Sequence, residues 1–197
     1  VRTTRGEQVV SAGKKHSDGS FHLDKEVPAY AIAFYTGRFA DGGTTRRRHG
    51  VDVRLHGLGH KVPDGTRELV RTTVAKAVEF FSHWLGPYPF GGHLNVVEIE
   101  SAYGGMEHAG AVAVGVGQGK ADTVEAGVHE AAHHWFGDGV RIAHWGELWM
   151  SEGFTNYATF RFFRAHEGEA KFRALLDAAK DALREQLAKH RTQALRG

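Results

Sequence analysis

The sequence contains no cysteine, only 4 prolines and 2 methionines, and no long apolar run. Without cysteine, disulfide bonds and thiolate metal sites are excluded. No apolar stretch approaches the roughly 20 residues that a membrane span needs, so we expect no transmembrane helix in this chain. No signal peptide is visible, but the chain begins with Val1 rather than methionine, and we expect it to be a fragment. The compartment stays open, with a small preference for the cytoplasm.

An excess of one charge is missing as well. The 25 basic and 23 acidic residues give a formal net charge of +2, which is too balanced for a nucleic-acid-binding surface. The only dense basic run is Arg46, Arg47 and Arg48, which we interpret as part of a solvated loop between strands. Hydrophobic residues make up 41% of the chain and charged residues 24%, a balance typical of a protein with a core.

Strands and helices are predicted from the spacing of apolar residues. Segments rich in β-branched and aromatic residues predict strands at 7–13, 27–40, 51–57, 94–100 and 110–117. The segment 40–50 is predicted to be a loop and a domain boundary. Helices are predicted over 63–86, from about 122 to 136, from an N-cap at Ser151, and after Gly168. This order predicts an α+β unit over 46–197, preceded over 1–45 by the tail of an all-β domain.

Residues 129–133 read H-E-A-A-H, which matches the H-E-x-x-H pattern. On a helix, His129 and His133 lie on one face about 5–6 Å apart, where both imidazoles can reach one zinc ion. Glu130 points beside that ion and can take a proton from an activated water. Because the chain has 14 histidines, the alternative is two surface histidines on an amphipathic helix.

A site with two histidines and one carboxylate needs a third ligand. Glu152 is the candidate, because the eighteen residues after His133 suffice to end one helix, turn back and start another. The alternative for Glu152 is a carboxylate placed at a helix start by the helix dipole.

The stretch from His129 to Tyr157 resembles the zinc signature of the M1 family of metallo-aminopeptidases. The family signature is H-E-x-x-H, eighteen residues, and then a glutamate in a W-L-x-E-G-F-A segment, which here is Trp149 to Thr155. The family's G-x-M-E-N motif has a counterpart at Gly104, Gly105, Met106, Glu107 and His108. The segment 27–39 resembles the end of the family's N-terminal β domain. The resemblance implies a partial thermolysin-like (gluzincin) catalytic domain with a small mixed sheet followed by helices, preceded by the tail of a β-sandwich.

The resemblance also implies roles for these residues. One zinc ion (Zn2+) would be held by His129, His133 and Glu152, with Glu130 as general base. Glu107 would bind the free α-amine of a peptide substrate, which fixes cleavage one residue from the end. Gly104, Gly105 and Met106 would line the peptide, since glycines allow a backbone to approach as an added strand.

Two departures from the family pattern affect the expected activity. His108 replaces the usual asparagine, which leaves substrate preference and pH dependence open. The family's oxyanion-stabilising tyrosine lies some sixty residues beyond the third ligand, and none of Tyr30, Tyr35, Tyr88, Tyr103 and Tyr157 fits that position. Losing one oxyanion donor costs roughly 10²–10³ in rate. We therefore expect the chain alone to be weakly active or inactive.

Several neighbouring residues receive less specific predictions. His134 is expected to be exposed or to support the ligands, and His144 to be a loop histidine. Glu147 could hydrogen-bond a zinc histidine or be solvated. Aromatic residues are expected in the core rather than in a substrate pocket; they are Phe80, Phe81, Trp84, Trp135, Phe136, Trp145 and Trp149.

Other functions on the same fold stay open. They are an epoxide hydrolase with secondary peptidase activity, an endopeptidase, and a non-catalytic scaffold, although scaffold members have usually lost the zinc ligands. Glu107 favours the exopeptidase over the endopeptidase. The preferred N-terminal residue and the oligomeric state do not follow from the sequence.

Overall fold

A five-stranded mixed sheet organises the part of the chain that carries the H-E-x-x-H motif. In this computed structural model, residues 3–46, 50–59, 62–101, 104–117 and 119–194 are described. The sheet order is β5-β6-β7-β9-β8. Its strands are β5 Ala40–Arg46, β6 Asp52–Gly57, β7 His93–Glu100, β8 Gly105–Met106 and β9 Ala111–Val116. Strands β6, β7 and β9 are parallel, whereas β5 and β8 run antiparallel at the two edges.

The residues before the sheet form two smaller antiparallel pairs. Strand β1 (Gln8–Ser11) pairs with β4 (Phe34–Gly37), and β2 (Lys14–Lys15) pairs with β3 (Phe21–His22). A short 3₁₀ helix, Ala29–Ala31, precedes β4. The predicted long strand over 27–40 is therefore broken. The predicted β-sandwich tail and the domain division at 45/46 stay predictions.

Within the residues that the structure describes, four α-helices occur in the order that the sequence predicts. They are α1 Asp64–Leu85, α2 Lys120–His133, α3 Leu148–Glu167 and α4 Glu169–Ala194. A 3₁₀ helix, Trp145–Glu147, leads into α3. Within the described ranges, no helix combines the length and the apolar character that crossing a membrane requires. The mixed sheet with four helices agrees with the predicted partial α+β domain.

Two predictions about secondary-structure elements are wrong. Residues 40–46 form edge strand β5 rather than a loop, because Thr44 and Thr45 pair with β6 and Arg46 binds Asp52 through Nε at 2.6 Å. Arg47 and Arg48 lie outside the described residues. Helix α3 begins at Leu148, one turn before the predicted N-cap Ser151, whose buried side chain instead turns inward.

The hydrophobic core lies between the sheet and helices α1, α2 and α3. Valines and leucines of β6, β7 and β9 face apolar residues of the helices. Helices α1 and α2 pack closely at Gly127, where a Cβ atom would lie 2.9 Å from Val74 Cγ2. The ring of Phe81 is fully buried and packs edge-on against Trp135 at 5.6 Å between ring centroids. This packing fixes α2, and with it the motif histidines, against the sheet.

We expect Phe81→Ala to lower the free energy of unfolding by about 3–5 kcal/mol, because it removes a buried ring and leaves a cavity. Urea denaturation would measure the change. The control is Leu183→Ala on α4, where the leucine side chain is exposed and the expected change is within about 0.5 kcal/mol. Equal effects of the two substitutions would contradict the placement of the core.

Candidate metal centre

His129, His133 and Glu152 converge on one point between α2 and α3. The Nε2 atoms of the two histidines are 3.0 Å apart. Glu152 Oε2 lies 3.3 Å from His129 Nε2 and 3.5 Å from His133 Nε2. Three ligands in a tetrahedral arrangement around zinc, each at about 2.0–2.2 Å, are about 3.3 Å from one another. The spacing of this donor triangle therefore fits a zinc ion.

His133 is oriented by the polar groups behind it. Its ring is 1% exposed, and its Nδ1 lies 3.0 Å from the carbonyl oxygen of Phe136. A carbonyl only accepts, so Nδ1 carries a proton and Nε2 is the ring nitrogen that faces the donor triangle. The hydroxyls of Thr155 and Ser151 lie 3.1 and 3.3 Å from the same Nδ1. Such contacts commonly fix the ring of a metal-binding histidine.

The electrostatics of the cluster also suit a cation. Hydrogen bonds from His129 and His133 hold the pKa of the Glu152 carboxyl well below its usual range. Burial lowers the pKa of His133, but its hydrogen bond with Glu152 and the charge of Glu107 outweigh burial and raise the value to about 9. The carboxylates that favour a proton on this imidazole would equally favour a metal ion.

Two further carboxyl groups adjoin the triangle. Glu107, Glu130 and His133 each place a ligand atom within 4.8 Å of the others. Glu130 is 6% exposed, and burial raises its pKa to about 8. A carboxyl group with a pKa near neutrality can accept a proton and return it during one reaction.

Gly104 and Gly105, at the edge of the sheet, lie beside the donor triangle. Strand β8 pairs with β9 at the edge of the sheet, so Gly105 and Met106 lie where a further strand could add. A Cβ atom on Gly105 would lie 2.6 Å from Glu130 Cγ, so only glycine allows the strand to approach the carboxyl group so closely. Tyr103, from the same stretch, lies outside the described residues.

A cavity of about 650 Å3 joins these groups. All eight residues that the sequence singled out line it: Gly104, Gly105, Met106, Glu107, His129, Glu130, His133 and Glu152. The sequence did not indicate Tyr30, which reaches the cavity from the 3₁₀ helix before β4 and contacts Trp145 in a tilted arrangement, with 5.3 Å between ring centroids. Burial and the nearby charge of Glu107 raise the pKa of Tyr30 to about 12. No local pattern marks this tyrosine, because the contact depends on the tertiary fold.

Several secondary predictions about this region need correction. Trp145 and Trp149 are each 67% exposed rather than in the core, and Trp84 is 40% exposed. Glu147 does not contact a zinc histidine, because its carboxylate accepts from the backbone N–H of Ala143 and lies 3.6 Å from His144. His134 is fully buried rather than exposed.

The other secondary predictions agree with the structure. Phe81 and Trp135 lie in the core, and Phe80 and Phe136 pack against it. His144 is a loop histidine whose Nδ1 accepts from Gly146 N–H.

Comparison with known proteins points to one family. The Peptidase family M1 domain matches residues 71–195. Aminopeptidase B of Rattus norvegicus is 30% identical over 145 residues, which cover 72% of this chain and 21% of the relative. Aminopeptidase N of Homo sapiens is 26% identical over 152 residues, covering 71% of this chain and 16% of the relative.

Solved structures show the same fold. A two-domain M1 zinc metallopeptidase mutant bound to L-arginine has a TM-score of 0.67 at 24% identity, over 91% of this chain and 42% of that one. An M1 zinc metallopeptidase mutant from Deinococcus radiodurans has a TM-score of 0.62 at 24% identity, over 83% of this chain and 39% of that one.

The chain therefore belongs to Peptidase family M1, whose curated relatives are aminopeptidases, and the resemblance seen in the sequence is confirmed. The chain spans between 16% and 21% of the length of the two curated relatives described above.

Proposed function

We propose that this chain carries the metal centre and the amine anchor of a zinc-dependent aminopeptidase. The observation that carries the proposal is the donor triangle of His129, His133 and Glu152, with Glu130 and Glu107 in the same cavity. Family membership supports zinc as the metal and a peptide with a free N-terminus as the substrate. Cobalt or manganese could replace zinc in vitro.

When bound, zinc lowers the pKa of a water and polarises the scissile carbonyl. Glu130 takes a proton from the attacking water and passes it to the leaving amine. Its burial beside His133 places this carboxyl group next to the donor triangle without making it a ligand of the proposed site.

Glu107 sets where the peptide is cut. The carboxyl group is 8% exposed and lies beside Glu130 and His133. An ammonium group bound there forms a charge-assisted hydrogen bond, which holds the first residue of the substrate against the metal site. The edge of β8 at Gly105 lies beside the peptide backbone. This arrangement favours removal of single N-terminal residues over internal cleavage.

Activity of the 197-residue chain alone is a separate expectation. None of its five tyrosines fits the position of the family's oxyanion-stabilising residue. We therefore predict slow or undetectable turnover by this chain on its own, and high activity on amino-acid anilides would contradict that prediction.

Glu107→Gln tests the amine anchor. We expect the substitution to lower kcat/KM for a free-amine anilide by about 10- to 100-fold, since a hydrogen bond to a charged group contributes about 1.5–3 kcal/mol. The rate on the N-acetylated anilide should change little. A wild-type protein that cleaves N-acetylated and free substrates equally well would identify an endopeptidase instead. A folded protein without bound zinc would support a scaffold.

A further inference from the structure

Two buried hydrogen bonds connect Tyr88 and His134 to the carbonyl of His108, the residue after Glu107. None of these three residues lines the cavity. Tyr88 OH lies 2.9 Å from His134 Nδ1, and His134 Nε2 lies 3.3 Å from the carbonyl oxygen of His108. A carbonyl cannot donate, so Nε2 carries a proton and donates to His108. In the neutral ring, Nδ1 then accepts from the Tyr88 hydroxyl. The His108 carbonyl, which can only accept, therefore fixes the donor and acceptor of both hydrogen bonds.

The packing leaves His134 little freedom to move. Its ring is fully buried and lies 5.4 Å from the ring of Tyr88 and 5.2 Å from that of Phe90, between centroids. Its Nε2 also lies 3.9 Å from a carboxylate oxygen of the buried Asp138. A neutral imidazole has one donor and one acceptor, and both have partners here.

His108 and Ala109, which follow Glu107, form further hydrogen bonds. The His108 carbonyl also accepts from the backbone N–H of Ala111 at 2.8 Å, and Ala109 N–H donates to the Ala31 carbonyl at 2.8 Å. The imidazole of His108 meets the hydroxyl of Tyr35, with 2.5 Å between Nδ1 and the oxygen. The backbone of His108 is thus bound by His134 at the end of α2, and its side chain by Tyr35 of β4.

The position of His134, which caps the C-terminal end of α2, connects these contacts to the proposed metal site. It directly follows the proposed ligand His133, and its Nε2 donates to the carbonyl of His108, the residue after Glu107. The helix that carries the two histidines and Glu130 therefore also holds the segment that carries the amine anchor. The His134 side chain thus links the anchor segment to the metal site, in addition to the pairing of β8 with β9.

We propose that His134, with Tyr88 behind it and Tyr35 on the opposite side of His108, is a positioning residue that sets where Glu107 presents its carboxylate to the substrate amine. The proposal rests on the proposed amine-anchoring role of Glu107. It predicts that the network controls recognition of a free amine, beyond any effect on folding.

The experiment compares two probes on the zinc-loaded chain. Leucine hydroxamate has a free amine, and its des-amino counterpart lacks only that group. The ratio of their Kd values, measured by calorimetry, reports the amine anchor without requiring turnover. We expect the wild type to favour the free amine by about 10- to 100-fold, and Glu107→Gln to abolish the preference.

Substitutions in the network should then reduce this ratio. We expect His134→Leu to lower it at least about fivefold, while His134→Gln keeps most of it, because an amide can donate to the His108 carbonyl and accept from Tyr88. Tyr157→Phe, which removes an exposed hydroxyl elsewhere, is the matched control. Zinc content and the thermal unfolding midpoint are measured for each variant.

Each outcome decides the proposal. An unchanged ratio in folded, zinc-loaded His134→Leu would overturn it, as would an equal loss in His134→Gln. If His134→Leu does not fold, Tyr35→Phe takes its place, and an unchanged ratio there overturns the proposal. If the wild type binds zinc but shows no preference for the free amine, the anchoring role of Glu107 fails and the inference falls with it. If the wild type binds no zinc, the proposed metal centre fails first.

Discussion

Glu130→Gln should lower the rate of anilide hydrolysis by about 10²–10⁴-fold while leaving the zinc content unchanged. Glutamine has nearly the shape of glutamate but cannot take a proton from the attacking water. Glu130 lies within 4.8 Å of His133 but is not one of the three donors His129, His133 and Glu152. Loss of activity and retention of metal are therefore expected together.

The measurement requires two assays on the same preparation. One is hydrolysis of a free-amine anilide by zinc-loaded protein, at protein concentrations and times at which the slow wild-type turnover is measurable, and the other is elemental analysis. Glu169→Gln is the control, because this carboxylate lies on α4, does not line the cavity and pairs with Arg164 at 2.6 Å. If Glu130→Gln also lost its zinc, Glu130 would be a ligand rather than a base. If it kept full activity, another group would have to accept the proton.

The convergence of His129, His133 and Glu152 could be predicted from the sequence because it depends on local geometry. His129 and His133 are four residues apart on one helix, and any α-helix brings such a pair together. Glu152 could be placed by counting residues, since a helix, a turn and a new helix are needed to bring it back. The edge position of Gly105 followed from the motif, because glycines there indicate a close backbone approach.

The residues that orient the donor histidines could not be predicted, because their contacts join segments that are distant in the sequence. Thr155 and Ser151 meet His133 only because α3 packs across the end of α2. Tyr30 reaches the cavity from a segment 99 positions before His129. The burial of His134 follows from Tyr88 and Phe90, which lie in the turn after α1.

For two tryptophans, the sequence predicted burial where the structure shows exposure. Trp145 and Trp149 were assigned to the core because large aromatic side chains are usually buried. In the described structure Trp145 lies on the 3₁₀ helix that leads into α3 and lines the cavity with Tyr30, whereas Trp149 lies in the first turn of α3. Composition predicts how much apolar surface a chain buries, but not which aromatic residue remains exposed.

Glu152→Ala should remove most of the bound zinc, from about one ion per chain in the wild type. The substitution deletes one of only three protein donors, and the remaining histidines cannot complete a site with one open position. The loss of affinity should exceed the roughly 10–100-fold typical of removing a partner that only orients a ligand. Thr155→Val removes such a partner from His133 and should fall in that smaller range.

Glu147→Ala is the matched control, since this carboxylate lies five residues before Glu152 and binds Ala143 N–H instead of the metal donors. Elemental analysis of the three variants beside the wild type gives the order of effects. Zinc retained in Glu152→Ala at the wild-type level would exclude the three-donor site. Zinc absent from the wild type as well would mean that the histidines of α2 do not hold metal in this chain.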